Sequence, residues 1–165
     1  MDIKLVSVEA KEKYILSNLY QLYEYDFSEY TKQDISKDGK YDVNIDFFWE
    51  GDDRWHPYLL ELSGTLVGFV VVLLENMDID PDPTLVIYDF MILKKFRKTG
   101  IGYAAAIQTL ELYKANWKIA QMQENIPAIS FWRKVIKNYT KDNYTEIFRE
   151  DRKKYVQTFS NKYMI

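Results

Sequence analysis

Apolar residues recur at two spacings along this chain, and the alternation between them predicts interleaved strands and helices. Leu5 to Val8 reads as a short strand. From Glu12 to about Glu29, the residues Tyr14, Ile15, Leu19, Leu22, Tyr23 and Phe27 fall at steps of three and four, the period of an amphipathic helix. Ser28 to Val43 is polar and acidic with an Asp38-Gly39 turn signal, and reads as a loop or a loop with a short helix. Ile45 to Trp49 fits a helical turn or a short strand. Tyr58 to Leu62 and Thr65 to Leu74 flank Ser63-Gly64, a two-residue hairpin turn. Glu75 to Thr84 holds Pro81, Pro83 and four acids, and is a loop. Leu85 to Leu93 is a third strand of this central group, rich in branched and aromatic residues.

The second half repeats the alternation. Tyr103 to about Asn116 predicts a helix with apolar residues around much of its circumference, so it needs cover on more than one side. Trp117 to Met122 is a strand. Asn125-Ile126-Pro127 breaks the chain and starts a helix reaching about Lys137, with Pro127 in the first turn, where a missing N–H costs nothing. Tyr144 to Phe148 and Tyr155 to Phe159 close the chain as a pair of strands. The strand, helix and strand at 85–93, 103–116 and 117–122 form a crossover unit whose strands are parallel, whereas the hairpins imply antiparallel pairing. The expected fold is α/β in the α+β sense: a mixed sheet with helices on its faces, in one domain spanning residues 1–165.

Composition narrows the chemistry. The chain has 165 residues, 22 basic against 25 acidic, and a formal net charge of -3, so no global basic field favours nucleic acid. It has no cysteine, which excludes a disulfide framework and a thiol nucleophile. Its one histidine, His56, excludes a site of several imidazoles; carboxylate sites remain open, but no metal is expected. His56 precedes Pro57 where a strand begins, and a surface or packing role suits it. The N-terminus lacks the pattern of a signal peptide, and no apolar run approaches the ~20 residues needed to span a bilayer, so a cytoplasmic location away from membranes is expected.

Basic residues gather at Lys94, Lys95, Arg97 and Lys98, beside Gly100 and Gly102. A strand feeds this turn and a helix leaves it. Helix N-termini present unpaired N–H groups and the positive end of a dipole, so the turn suits a pyrophosphate. Two other readings stay open. Gly100-Ile101-Gly102-Tyr103-Ala104-Ala105 fits the dinucleotide pattern Gly-x-Gly-x-x-Ala, although Lys94 to Thr99 intervene between strand and glycines. The segment could also be a structural turn with solvated lysines.

Arg97-Lys98-Thr99-Gly100-Ile101-Gly102 resembles the Arg/Gln-x-x-Gly-x-Gly/Ala signature of the GNAT superfamily of N-acetyltransferases, and it follows a strand ending Phe90-Met91-Ile92-Leu93. Asn125-Ile126-Pro127-Ala128-Ile129-Ser130-Phe131-Trp132 resembles that family's Asn-x-x-Ala-x-x-aromatic-aromatic segment, so the likeness spans roughly residues 58–138 and is nearest to small unassigned bacterial acetyltransferases. The resemblance implies a mostly antiparallel central sheet with a splayed parallel pair, and acetyl-CoA as cosubstrate. It implies a cofactor set of Met91, Ile92, Leu93, Arg97, Lys98, Thr99, Gly100, Ile101, Gly102, Tyr103, Asn125 and Trp132. The diphosphate would rest on the N–H groups of Lys98 to Tyr103, and the pantetheine arm would pair with Met91 to Leu93 as an added strand would. Asn125 resembles the family's pantetheine-binding asparagine; as an N-cap it also has a plain structural reading.

Transfer to an amine needs a base, a donor for the oxyanion and, in many cases, an acid for the thiolate. Asp89 is the first candidate base, acting through water, and Glu61 the second; Asp89 could instead face solvent or cap a loop. The Ile92 backbone N–H is the candidate oxyanion donor. The family's frequent acid is a tyrosine, but its position here is Trp132, which cannot deliver a proton; Tyr139 is the substitute considered. The expected activity is direct transfer from acetyl-CoA to a small-molecule or protein amine, since no cysteine can carry the acetyl group. A non-catalytic acyl-CoA-binding or sensing module is the alternative. The aromatic and acidic segment Tyr20 to Tyr30 suits a cationic acceptor or, more plainly, the wet face of an ordinary helix. A homodimer is left open.

Overall fold

A computed structural model describes residues 1–164. The elements run β1 (Ile3–Ser7), α1 (Lys13–Thr31), β2 (Trp55–Leu62), β3 (Thr65–Glu75), β4 (Thr84–Ile92), α2 (Ile101–Glu111), β5 (Asn116–Met122), α3 (Ile126–Thr140), β6 (Thr145–Arg149) and β7 (Lys154–Ser160). The strands form one seven-stranded sheet in the order β1-β2-β3-β4-β5-β7-β6, in which β4 and β5 are parallel and the other neighbours antiparallel. The expected mixed, mostly antiparallel sheet with one parallel pair is therefore present.

Local chemistry accounts for most boundaries. Ser63 and Gly64 both take positive φ, 50° and 78°, so the β2–β3 turn has the twist that a two-residue hairpin requires. β2 begins at Trp55, three residues before the predicted start, and takes in His56 and Pro57. The Pro57 carbonyl accepts from Val8 N–H on the β1 side, so the missing proline N–H faces an edge where the β1 ladder has already ended at Ser7. Ile45 to Trp49 resolves as a 3-10 turn at Asp46–Phe48.

Two helix ends depart from the expected ones. α2 stops at Glu111 rather than near Asn116, because Asn161 caps it from a distance. The fully buried Asn161 side chain donates to the Leu110 and Tyr113 carbonyls and accepts from Ala115 N–H, which frees Asn116 to begin β5. α3 continues to Thr140, past Lys137, before Lys141 takes a left-handed conformation.

The sheet has an apolar core on each face. α1 covers Leu59, Phe69, Val71 and Met91 through Leu16, Leu19 and Tyr20. α2 and α3 cover Val70, Val72, Leu85, Ile87, Ile92, Trp117 and Ile119 through Ala105, Ala106, Leu110, Trp132, Val135 and Ile136.

One irregularity shapes the middle of the sheet. The β3–β4 register shifts between Val71↔Asp89 and Val72↔Ile87, which leaves Tyr88 as a bulged extra residue. A bulge adds twist and reverses the side-chain alternation beyond it. Leu85 and Ile87 face α2 and α3; past the bulge Phe90 and Ile92 take that side, while Asp89 and Met91 face α1. With a regular strand, Asp89 would lie in the apolar core beside Ile87.

Candidate active site

The bulge falls where β4 and β5 part. These strands pair only at Thr84↔Asn116, Leu85↔Trp117 and Val86↔Lys118. Beyond Val86, β4 keeps β3 as its partner to Ile92, and β5 keeps β7 to Met122, while their facing edges pair with nothing among the described residues. A wedge therefore opens toward the C-terminal ends of both strands. At its wide end lies a cavity of about 210 Å³, bounded by Asp26, Phe27 and Tyr30 of α1, by Lys94 and Arg97, and by Asn125 and Pro127. Phe131, stacked on Phe90 at 5.8 Å, and Trp132, edge-on to Phe90 at 5.1 Å, close the wedge from the α3 side.

The turn from β4 to α2 borders the wedge. Its first part is a 3-10 turn at Lys94–Phe96; Lys98 and Gly100 then take positive φ, 59° and 89°. Gly100 is the N-cap of α2 and lends no side-chain cap; the first intrahelical bond is Ala104 N–H to Gly100 O at 3.0 Å. The backbone N–H groups of Lys98 through Tyr103 donate to no acceptor among the described residues. Six free donors at a helix start, in a chain segment alternating into the left-handed region, make a concave anion seat. A Cβ at Gly102 would meet Ile92 and Phe131 at 3.4–3.6 Å, ordinary contact distance, so this position faces the wedge wall rather than the anion seat.

Arg97 does not reach outward. Its Nε donates to the Ile92 carbonyl at 2.7 Å, and its guanidinium pairs with Asp26 at 2.8 Å. It ties the end of β4 to α1. Lys98 is exposed and makes no ion pair among the described residues. Leu93 N–H donates to Val67 O on the β3 side, so the Ile92 N–H, one residue back, faces the open edge. Asn125 caps α3, its Oδ1 accepting from Ala128 N–H at 3.2 Å, while its amide nitrogen has no partner among the described residues at the cavity wall. Capping and ligand contact are thus compatible. Met91 and Trp132, in contrast, are buried in the two cores. Any ligand contact at Met91 is confined to its backbone.

Asp89 is half-buried on the α1 side of β4, one residue past the bulge. Tyr20 OH donates to its Oδ2 at 2.5 Å and Tyr23 OH to its Oδ1 at 2.8 Å. Burial pushes its carboxyl up to about 6, against the pull of the two phenol hydrogen bonds; Glu24 adds to the rise and Lys154 opposes it. Burial and the Asp89 charge push both phenols far above their ordinary range, so both stay protonated donors. The pairing of Tyr20 and Tyr23 with Asp89 escapes sequence reasoning. Its one signal is the i, i+3 spacing of two tyrosines on the apolar stripe of α1.

The other candidate side chains lie elsewhere. Glu61 stands opposite Lys4 on β2, with β3 between it and the wedge. Tyr139 belongs to α3 rather than following it, roughly 20 Å along the helix axis from Ile126 at 1.5 Å per residue. Its hydroxyl donates to Glu111 at 2.5 Å and accepts from Asn161 at 3.1 Å, and burial pushes it up to about 12. It braces the far ends of α2 and α3, where it cannot serve the wedge. His56 Nε2 donates to the Asp53 carbonyl at 2.8 Å, away from the wedge.

This geometry has relatives. A family model described as the acetyltransferase (GNAT) family matches residues 18–136. An acetyltransferase from Thermus thermophilus superposes with a TM-score of 0.67 at 15% identity, covering 97% of each chain. An aminoglycoside acetyltransferase from an uncultured soil metagenomic sample, solved with sisomicin, gives 0.61 at 13% identity, over 81% of this chain and 86% of that one. A protein of Bacillus anthracis str. Ames, provisionally assigned as a streptothricin acetyltransferase and solved with acetyl coenzyme A, gives 0.59 at 12% identity, over 96% and 99%. No curated protein sequence matches the chain.

Proposed function

Since the chain belongs to the acetyltransferase (GNAT) family, we propose that it moves the acetyl group of acetyl-CoA directly to a primary amine in a ternary complex. The observation that carries this reading is the wedge between β4 and β5, opening beside six unpartnered N–H groups. The wedge suits the pantetheine arm, whose amides can pair with the free edge of β4, and the turn suits the diphosphate. Lys98 adds a mobile cation there. Arg97 supports the site indirectly, by holding Ile92 and α1 in place.

Acetyl-CoA supplies an activated thioester. The chain's part is to orient it, to stabilise charge on the acetyl oxygen and to take a proton from the acceptor. The Ile92 N–H is the donor for that oxygen, because the Leu93 N–H bond to Val67 O turns it away from β3 and toward the open edge. Asp89 takes the proton, directly or through water; with its carboxyl near 6 it is ionised at neutral pH yet more basic than an ordinary aspartate. No side chain is assigned to protonate the thiolate, since Trp132 is buried and Tyr139 is distant; solvent at the cavity mouth serves. The chain of 165 residues has no cysteine, in keeping with direct transfer. Asp89 and Glu24 together favour an acceptor that arrives as a cation.

The buried Trp132 also favours a second reading, a non-catalytic acyl-CoA-binding module. Thiol release from acetyl-CoA across a panel of amines, beside a thermal shift with CoA, separates the two. Turnover with any amine supports transfer. Stabilisation by CoA without turnover supports binding alone, and no effect of CoA overturns both.

A further inference from the structure

Asp89 is an acid on a face otherwise built from Met91, Phe69 and Val71, and no cation among the described residues pairs with it directly. Two phenols from α1 meet it instead, across 69 and 66 residues of chain. Tyr20 is 4% exposed and packs on Phe69 at 4.7 Å and on Phe48 at 6.1 Å; Tyr23 packs on Phe27 at 4.4 Å and on Phe69 at 5.7 Å. Their rings contact each other edge-on at 5.5 Å, so neither hydroxyl is free to swing away. Each carboxylate oxygen has two lone pairs, and each phenol takes one, on a different oxygen. One lone pair per oxygen remains.

We propose that Tyr20 and Tyr23 are positioning residues: they clamp both oxygens of Asp89 from the α1 side and leave one lone pair on each for the acceptor amine or its water. This rests on the reading of Asp89 as the base. The groups facing Asp89 are Tyr20, Tyr23 and Glu24 of α1, Tyr88 on its own strand and Lys154 of β7. Among the described residues only the two phenols contact it by hydrogen bonds, so they are the groups whose removal alters the carboxylate while leaving the surrounding charges unchanged.

The test is Tyr20→Phe and Tyr23→Phe, which keep the rings and delete the donors, with Asp89→Asn as the reference. The Asp89 carboxyl carbon is titrated by 13C NMR, its signal assigned by loss in Asp89→Asn, and the pH profile of kcat/KM is recorded with a turned-over amine. Each Phe variant should move both midpoints upward by roughly one pH unit, because a hydrogen bond to the ionised form is lost. KM for acetyl-CoA should not change. Unmoved midpoints in both Phe variants, with Asp89→Asn inactive, overturn the clamp and leave the base intact. An active Asp89→Asn with the wild-type profile overturns the base, and the clamp's role with it.

Discussion

Asp89 shows how a single residue trades stability for chemistry. Its carboxyl sits above the ordinary carboxylate range in the folded chain. The folded state therefore binds the proton more tightly than the unfolded state does. Between the unfolded value and about 6, stability falls as pH rises, and above about 6 the full penalty is present. Asp89→Asn removes a half-buried charge whose ionisation the fold disfavours, so its melting temperature at pH 7.5 should equal or exceed that of the wild type, while acetyl transfer drops about 100-fold or more. Calorimetry beside a rate assay checks this; a variant both less stable and fully active would contradict it. Tyr139→Phe should behave in the opposite way. It breaks a hydroxyl bridge between Glu111 and Asn161, should lower stability by about 0.5–1.5 kcal/mol, and should leave turnover unchanged. Asp89 could be picked out in the sequence because it is a lone acid in an apolar strand. Its phenol partners could not, because the contact spans the chain.

At the scale of elements, the wedge depends on how β4 is held. Gly68 pairs with Ile92, and a Cβ on it would overlap the Met91 carbonyl oxygen, a backbone atom that cannot give way. Gly68→Ala should therefore shift the end of β4, lower stability by several kcal/mol and weaken CoA binding; chemical denaturation and a binding titration check both. A glycine inside a run of branched residues was the available sign of such a close approach. Arg97 makes a related point. Arg97→Lys keeps the charge but cannot hold Ile92 O and Asp26 at once, so it should weaken CoA binding nearly as much as Arg97→Ala does. Full rescue by lysine would argue for a simple charge role. The elements themselves were legible from periodicity and turn chemistry. The bulge at Tyr88 was not, because it arises from the pairing of β4 with β3, and it inverts which residues face the core. The early end of α2 was hidden for the same reason, its cap being Asn161, 50 positions beyond Glu111.

Taken whole, the molecule is a sheet divided by one incomplete pairing and covered on both faces, so that a ligand entering the wedge touches both halves. The two motifs that bound the wedge, Arg97 to Gly102 and Asn125 to Trp132, were readable in order and spacing, and the family match over residues 18–136 agrees with them. The acceptor leaves no comparable motif in the sequence. No helix among the described residues is long and apolar enough to cross a membrane. Saturating CoA should stabilise the fold by linkage, about 2.7 kcal/mol at 100 times Kd. With exposed Lys98 in its proposed role beside the diphosphate, the shift should shrink with added salt.

The most direct test is a titration of the 15N-labelled chain with CoA, read as amide shifts residue by residue. The wedge account predicts the largest changes at the N–H groups of Lys98 to Tyr103 and at Phe90 and Ile92. Saturable binding that moves amides elsewhere and leaves these unmoved would contradict it.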